Sequence, residues 1–153
     1  MFLERFQTAT LINPSFPNWN KSFVSGQESP LFEVEHRIAL DPVELLSLVW
    51  FKPSAEGPPA HVHGGATAAL IDEVMGILVW NQNMPVVTKK LEVEYRLPLP
   101  LKEEAQLSTV IEEITDKNVR VRTNLFCNKK TPCVVAHGVF HRLTENQLKN
   151  FTP

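Results

Sequence analysis

Hydrophobic and polar residues alternate along much of this sequence, and alternation with a period of two is typical of strands that bury one face. Strand-like stretches run over residues 31–39, 45–52, 86–97, 105–115, 119–127 and 133–143. Short polar segments join the last four of these strands, and connections this short favour antiparallel neighbours. The pattern therefore predicts an antiparallel sheet of about six strands.

One stretch, residues 64–81, is apolar almost throughout and predicts the single long helix. Asp72 and Glu73 carry the only charges in it. A helix that is apolar nearly all round must be surrounded by other structure. We therefore expect an α+β fold in which the sheet wraps around one central helix. Residues 1–30 show no sustained period, and we expect them to form a lead-in whose aromatic side chains pack on the domain.

The length, charge and cysteine content exclude several classes of protein. The 153 residues fit a single domain, and a net charge of -2 offers no basic surface for a phosphate backbone, which argues against nucleic-acid binding. No stretch reaches the roughly 18 apolar residues of a membrane span. The start lacks the pattern of a secretory signal, and Cys127 and Cys133 are too few for a disulfide scaffold, so a cytoplasmic location is expected. These cysteines flank a predicted hairpin loop at 128–132, where a disulfide between them is the less favoured alternative.

Glycine is scarce and concentrated, because four of the 6 glycines lie between residues 57 and 76. Within that window, His63 precedes Gly64 and Gly65 at the start of the predicted helix, where the first N–H groups lack helical partners. The two glycines let a ligand approach these N–H groups, and the positive end of the helix dipole favours an anion. Two interpretations stay open, an oxyanion site or a turn that merely starts the helix. Gly76 is expected to permit close packing within the helix.

Asp72 is a candidate general base or nucleophile. A carboxylate within an apolar helix is costly to bury and is rarely kept for packing alone. Glu73 is rotated about 100° around the helix axis from Asp72, so we expect the two carboxylates to lie in different environments. A carboxylate that faces a cleft can perform acid–base or nucleophilic chemistry. A buried Asp72 satisfied by hydrogen bonds is the alternative.

The spacing between Gly64 and Asp72 sets a geometric limit. The eight positions that separate them correspond to roughly 12 Å of helix. An oxyanion donor and a base must each lie about 3 Å from the reacting groups, so one chain cannot bring both residues to the same carbonyl. If both act, they come from different subunits of an obligate dimer with two shared sites. The polar outer face of strand 86–97, taken alone, is also compatible with a monomer.

The His-Gly-Gly run at 63–65, followed by Asp72 on the helix, resembles the signature of hotdog-fold acyl-CoA thioesterases of the phenylacetate-pathway (PaaI) type. Val-Val-Thr at 86–88 and Tyr-Arg-Leu-Pro-Leu-Pro at 95–100 are similar to the strand that follows the helix in that family. The resemblance covers roughly residues 45–143. It implies the hotdog fold, thioester hydrolysis without a metal, coenzyme A only as part of the substrate, and a homodimer or homotetramer.

The resemblance also implies roles for individual residues. Asp72 would act as general base or nucleophile, and Thr88 would help to position the attacking water. The Gly64 amide would polarise the thioester carbonyl from the other subunit, with His63 shaping that turn. Gly65 and Gly57 are assigned to substrate binding. Gly57 stands where some members carry an asparagine, so the amide side chain of those members is missing here.

Other polar residues have plainer alternatives. Lys89, Lys90 and Arg96 are candidates for binding the phosphates of coenzyme A, of which Lys90 and Arg96 are assigned to the site, but ordinary solvated strand charges are the favoured interpretation. His61 and His63 form a His-x-His pair, but no further ligand lies at a suitable spacing, so no metal site is expected.

Acyl-CoA thioester hydrolysis is therefore the expected function. A non-catalytic hotdog module that binds acyl-CoA or acyl-carrier protein is the alternative, and it would have no need of a carboxylate at the thioester. Another hotdog reaction, such as dehydration, would need a catalytic histidine beside an acid. The sequence leaves open the acyl chain and the choice between coenzyme A and acyl-carrier thioesters.

Overall fold

The computed structural model describes residues 1–127 and 130–151. Within them the strands are β1 (Thr10–Leu11), β2 (Phe32–Leu40), β3 (Val43–Phe51), β4 (Val86–Tyr95), β5 (Glu104–Ile114), β6 (Asn118–Phe126) and β7 (Val134–Arg142). They form one sheet in the order β1-β2-β3-β5-β6-β7-β4, and every neighbouring pair is antiparallel. The six longer strands match the six predicted stretches, so the α+β class and the antiparallel sheet are confirmed.

Strand β4 lies at one end of the sheet, although it comes fourth in the chain. It pairs with β7 along its whole length, and its other edge has no strand partner among the described residues. Most of its side chains beyond Val87 are exposed or only partly buried. The strand that follows the helix is therefore an open edge ten residues long.

Helix α2 (Gly64–Asn81) has the predicted bounds and is the central element of the core. It packs against β3, β4, β5, β6 and β7. Eight of its 18 residues are buried, and Leu70, Ile71, Val74 and Met75 are completely inaccessible to solvent. Because apolar residues surround the helix axis, it needs cover on all sides, and the wrapped sheet supplies most of it.

The lead-in is more structured than its sequence pattern predicts. It begins with helix α1 (Phe2–Thr8), which packs against β2, and the Arg5 guanidinium forms an ion pair with Glu44 of β3. The lead-in also contributes β1, which pairs with residues 37–38 of β2. A strand of two residues is too short to show alternation, which is why the sequence predicts six strands and the sheet has seven.

A short helix, α3 (Glu145–Leu148), follows the sheet. Among the residues described, no helix combines the length and apolarity needed to cross a bilayer. Cys127 and Cys133 are both buried thiols. The predicted hairpin loop between them lies partly outside the described residues, because 128 and 129 are not among these.

Candidate active site

The start of α2 is built by His63, the N-cap residue of the helix. Its ring nitrogen Nδ1 accepts a hydrogen bond of 2.9 Å from the N–H of Gly65. The expectation that Gly64 and Gly65 both present free amides is therefore wrong for Gly65, whose N–H is used in capping. In the described part of the chain, no hydrogen bond uses the N–H of Gly64. One open amide thus remains at the positive end of the helix.

Tyr95, the last residue of β4, lies against this first turn. Its hydroxyl donates a hydrogen bond of 2.7 Å to the carbonyl oxygen of Gly64. Burial of the ring raises the pKa of Tyr95, so the hydroxyl remains a donor at neutral pH. A Cβ at Gly64 would meet the Tyr95 ring at 3.6 Å, an ordinary contact distance. In the sequence, Tyr95 stands out only as part of the run 95–100, which gives no sign of this contact.

Gly57 keeps the preceding loop close to the start of the helix. A Cβ at Gly57 would lie 2.7 Å from the Cα of His63, which is closer than real side chains approach. The Gly57 N–H donates to the carbonyl of His61 at 2.9 Å. An asparagine at this position would require the backbone to move, so the absence of the amide side chain has a steric reason. The structure assigns Gly57 to shaping the turn around His63.

Asp72 lies one to two turns beyond Thr67 along α2. It is held by a residue near the start of β4, at the other end of this strand from Tyr95. The hydroxyl of Thr88 donates a hydrogen bond of 2.7 Å to Oδ1 of Asp72. Burial raises the pKa of Asp72, and the Thr88 hydrogen bond opposes this by lowering it, with burial the larger effect. The structure therefore brings together two of the predicted site residues, a carboxylate and a hydroxyl.

The two halves of the predicted site border different cavities. Asp72 and Thr88 line a cavity of about 320 Å³ between α2, β4 and the lead-in. Gly64, Tyr95 and Arg96 line a second cavity, also of about 320 Å³, at the start of α2. Of the residues that the structure describes, none lines both cavities. A single chain therefore keeps Gly64 apart from Asp72, as their spacing along the helix requires.

Glu73 has a structural role that the sequence does not reveal. Its carboxylate accepts hydrogen bonds from the hydroxyls of Ser22 and Ser25 and, at 3.2 Å, from the N–H of Ser25. Glu73 thereby fastens the lead-in to α2. The expectation that Asp72 and Glu73 lie in different environments is only half right, because both border the same cavity but only Glu73 binds the lead-in.

The two cations assigned to coenzyme A are paired with acidic residues of their own segment. Arg96 forms an ion pair with Glu94 at 2.9 Å, and this hydrogen bond raises the pKa of the exposed guanidinium. Lys90 lies 3.3 Å from Glu92. Arg96 borders the Gly64 cavity, whereas Lys90 borders neither of the two site cavities. Among the described residues, no three histidine, cysteine, aspartate or glutamate side chains cluster as metal ligands would.

Comparison with known proteins identifies the relatives of this chain. The family profile described as "Thioesterase superfamily" matches residues 60–134. The acyl-coenzyme A thioesterase THEM5 of Mus musculus is 29% identical over 112 residues, which covers 71% of this chain and 45% of the relative. The acyl-coenzyme A thioesterase THEM4 of Rattus norvegicus is 28% identical over 89 residues, covering 58% and 38%. The chain thus spans less than half the length of these curated relatives.

Solved structures share the fold. The crystal structure of a thioesterase superfamily protein superposes with a TM-score of 0.71 at 26% identity, covering 78% of this chain and 62% of the other. A Bacillus halodurans protein crystallised with CoA gives a TM-score of 0.63 at 23% identity, covering 72% and 74%. The PaaI protein of E. coli gives 0.62 at 11% identity, covering 66% and 73%. At these identities the last two show the fold alone. The sequence resemblance is thereby confirmed: the chain has the hotdog fold of the thioesterase superfamily, and the superfamily match covers the stretch that contains Gly64, Asp72 and Thr88.

Proposed function

We propose that this chain is an acyl-CoA thioesterase whose active site is shared between two copies. The observation that carries the proposal is the Asp72–Thr88 pair, a partly buried carboxylate held by a hydroxyl in the wall of a mainly apolar cavity. Two curated relatives are acyl-coenzyme A thioesterases, and a structural neighbour was crystallised with CoA. These names support the substrate class, with coenzyme A entering as part of the substrate and no further cofactor required.

Asp72 acts as the general base in the proposed reaction. It takes a proton from a water molecule while the water oxygen attacks the carbonyl carbon of the thioester. The raised pKa of Asp72 suits this role, because a stronger base accepts the proton more readily near neutral pH. Thr88 holds Oδ1 and so fixes the orientation of the carboxylate, and Oδ2 is the oxygen that takes the proton in the proposed reaction.

Gly64 stabilises the negative charge that develops on the carbonyl oxygen. Its N–H is the open donor at the first turn of α2, and the helix dipole adds a positive field at the same point. The tetrahedral intermediate then collapses, the carbon–sulfur bond breaks, and the thiolate of coenzyme A takes the proton from Asp72. The products are a carboxylic acid and free coenzyme A.

A nucleophilic role for Asp72 is the alternative route to the same products. In that case, the carboxylate oxygen attacks the carbonyl carbon and expels the thiolate, and water hydrolyses the resulting mixed anhydride. Hydroxylamine added during turnover would trap the anhydride as a hydroxamate and so distinguishes the two routes.

The exposed edge of β4 supports sharing of the site between two copies. Thr88, which holds Asp72, lies near one end of this strand, and Tyr95, which holds Gly64, lies at the other. Antiparallel pairing of two β4 edges about a two-fold axis brings the Thr88 end of one copy to the Tyr95 end of its partner. Lys90 of one copy then lies near the oppositely charged Glu92 of the other copy, close to the middle of the interface. A dimer with two composite sites, or a tetramer of two such dimers, is the proposed assembly.

The direct test is release of free thiol from acyl-CoAs with short, long and aromatic acyl groups. Asp72→Asn is expected to lower kcat by about 10²–10⁴-fold, which is typical of the loss of an acid–base residue. Asp116→Asn, the same chemical change in an exposed turn, serves as the matched control. An Asp72→Asn enzyme within a few-fold of the wild type contradicts the mechanism. Tight binding of acyl-CoA without turnover in either protein would indicate the non-catalytic binding module instead.

The cytoplasm remains the proposed location of the protein, and this proposal rests on the sequence pattern alone.

A further inference from the structure

The cavity beside Asp72 extends along one face of α2. Ala69, Asp72, Gly76 and Trp80 all line it, and their spacing of three or four residues places them on the same side of the helix. From Asp72 to Gly76 is one turn, roughly 6 Å along the axis. The cavity therefore extends at least one helical turn beyond the proposed catalytic carboxylate, which gives room for an acyl group whose carbonyl carbon lies at Asp72.

Most of the lining of this cavity is apolar. Val86 and Phe140 contribute from the sheet. Trp80 contributes its ring, and its Nε1–H is already donated to the carbonyl of Val86 at 3.1 Å. The charged lining groups are Asp72 and Glu73, which are adjacent in α2. Such a lining favours a hydrocarbon chain or ring over an acyl group that ends in a second carboxylate.

The opposite wall comes from the lead-in, which contributes Phe16, Phe23 and Val24. This wall is fastened to α2 at two points. The carboxylate of Glu73 binds the segment at Ser22 and Ser25, and the Phe16 ring packs edge-on against Trp80 with 6.5 Å between the ring centroids. The wall is therefore fixed relative to the helix, so that the width of the cavity is defined.

Gly76 has no conformational or packing reason to be glycine. Its φ is not positive, and a Cβ built on it would have Phe140 Cε1 at 4.0 Å as its near neighbour, an ordinary van der Waals distance. The expectation that Gly76 permits close packing is therefore wrong. Alanine would favour the helix, since glycine in a helix interior is destabilising. What glycine provides at this position is room within the cavity.

We propose that Gly76, facing the wall of residues 16–24, sets how large an apolar acyl group the enzyme accepts. This inference rests on the proposed function. A methyl group at position 76 occupies the cavity one turn beyond Asp72 and shortens the space for the acyl group. Removal of the Phe23 ring, which is 67% exposed, widens the cavity from the other side without opening the core.

The test compares kcat/KM across straight-chain acyl-CoAs from acetyl to palmitoyl, together with phenylacetyl-CoA. Selectivity is the kcat/KM for the best wild-type substrate divided by the kcat/KM for acetyl-CoA. We expect Gly76→Ala to lower this selectivity about 10-fold or more, because one methyl group in an apolar pocket changes kcat/KM by roughly 10–200-fold. Phe23→Ala is expected to move the optimum toward larger acyl groups. A melting temperature for Gly76→Ala at or above that of the wild type shows that the shift is not caused by unfolding.

An unchanged acyl-length profile in both variants overturns the inference, while hydrolysis by the same proteins leaves the proposed function intact. If the wild type hydrolyses no thioester, the proposed function fails, and the inference is then tested by the binding of substrate analogues. Quenching of Trp80 fluorescence by S-alkyl-CoA thioethers then measures affinity, with Trp80→Phe as the control for the signal. Affinity that rises with alkyl length in the wild type, and stops rising earlier in Gly76→Ala, supports the pocket. Identical length dependence in the two proteins refutes it.

Discussion

The hydroxyl of Tyr95 donates a hydrogen bond to the carbonyl oxygen of Gly64 and so fixes the last residue of β4 to the first turn of α2. Thr88 makes the corresponding contact with Asp72 near the other end of the strand. One edge strand therefore holds both halves of the proposed site, each through a single hydroxyl. The Tyr95 hydroxyl is therefore expected to position the Gly64 amide.

Tyr95→Phe keeps the ring against Gly64 and removes only the hydroxyl. A neutral hydrogen bond contributes roughly 0.5–1.5 kcal/mol, so we expect kcat/KM for acyl-CoA to fall about 2- to 10-fold as the first turn becomes less firmly placed. The steady-state thiol assay measures this change. Equal kcat/KM for Tyr95→Phe and the wild type would show that the bond does not position Gly64.

Complementation between two inactive variants tests the shared site. Gly64→Pro removes the amide hydrogen at the first helical position, where proline is tolerated and where the extended backbone of His63 suits a following proline. When the Gly64→Pro and Asp72→Asn proteins are mixed, unfolded and refolded together, the mixture should show about a quarter of wild-type activity. Half of the randomly formed dimers are mixed, and each mixed dimer has one intact site.

Gly64→Ala is the matched control for this experiment, because it keeps the N–H and its Cβ makes only an ordinary contact with Tyr95. We expect it to remain active. Failure of the mixture to exceed the summed activity of the separate variants, with dimers present by size-exclusion chromatography, would contradict the sharing of sites.

The pH dependence of hydrolysis should report the environment of Asp72. Activity needs the ionised carboxylate, so kcat/KM is lost as the pH falls through a pKa that burial has raised above the ordinary value for aspartate. The Thr88 hydrogen bond lowers that pKa. Thr88→Val removes the bond while keeping the shape, so the acid limb of the pH–rate profile should move to higher pH. A limb that stays in place or moves to lower pH argues against Asp72 as the titrating base.

Stability should depend on pH through His36, a buried residue of β2 that lies opposite Ser47 of β3. Its Nδ1 lies 2.8 Å from the Ser47 hydroxyl, and its Nε2 has no hydrogen-bond partner among the described residues. Burial lowers its pKa to about 4. The unfolded chain takes up the proton near the ordinary pKa of 6.5, so stability is lost as the pH falls from about 6.5 toward 4. This group alone should lower the free energy of unfolding by about 2 kcal/mol between pH 7 and pH 5.

Urea denaturation of the wild type and of His36→Gln at both pH values measures this contribution. The glutamine variant lacks the titrating group, so its stability should change less over the same interval, whatever its stability at pH 7. Parallel losses in the two proteins would show that His36 is protonated in the folded state.

The sequence predicts the elements whose signals are local. Residues 64–81 form α2 with the predicted bounds because His63 caps its start and the apolar residues continue to its end. The six long strands are also predicted, because the alternation that marks them is likewise a local signal. The separation of Gly64 from Asp72 also follows from the sequence, since the helical rise fixes it.

The contacts that organise the site come from residues far apart in the chain, and a local pattern does not reveal them. Glu73 meets Ser25 across 48 positions, and Tyr95 meets Gly64 across 31. The need for glycine at position 57 depends on how closely the loop passes His63. Each of these depends on the tertiary path of the backbone, which hydrophobic periodicity does not record.

Asp72 and Glu73 are adjacent in α2 but have separate roles. Asp72 is the residue of the proposed chemistry, and Glu73 binds the lead-in. Selection can therefore act on them separately. The sequence of residues 16–24 is free to diverge as long as a donor for Glu73 persists, and such divergence would retune the range of acyl groups while the carboxylate and its hydroxyl partner stay in place. We expect related enzymes with different substrates to differ most in this N-terminal wall, so that a graft of the segment transfers preference from one enzyme to another.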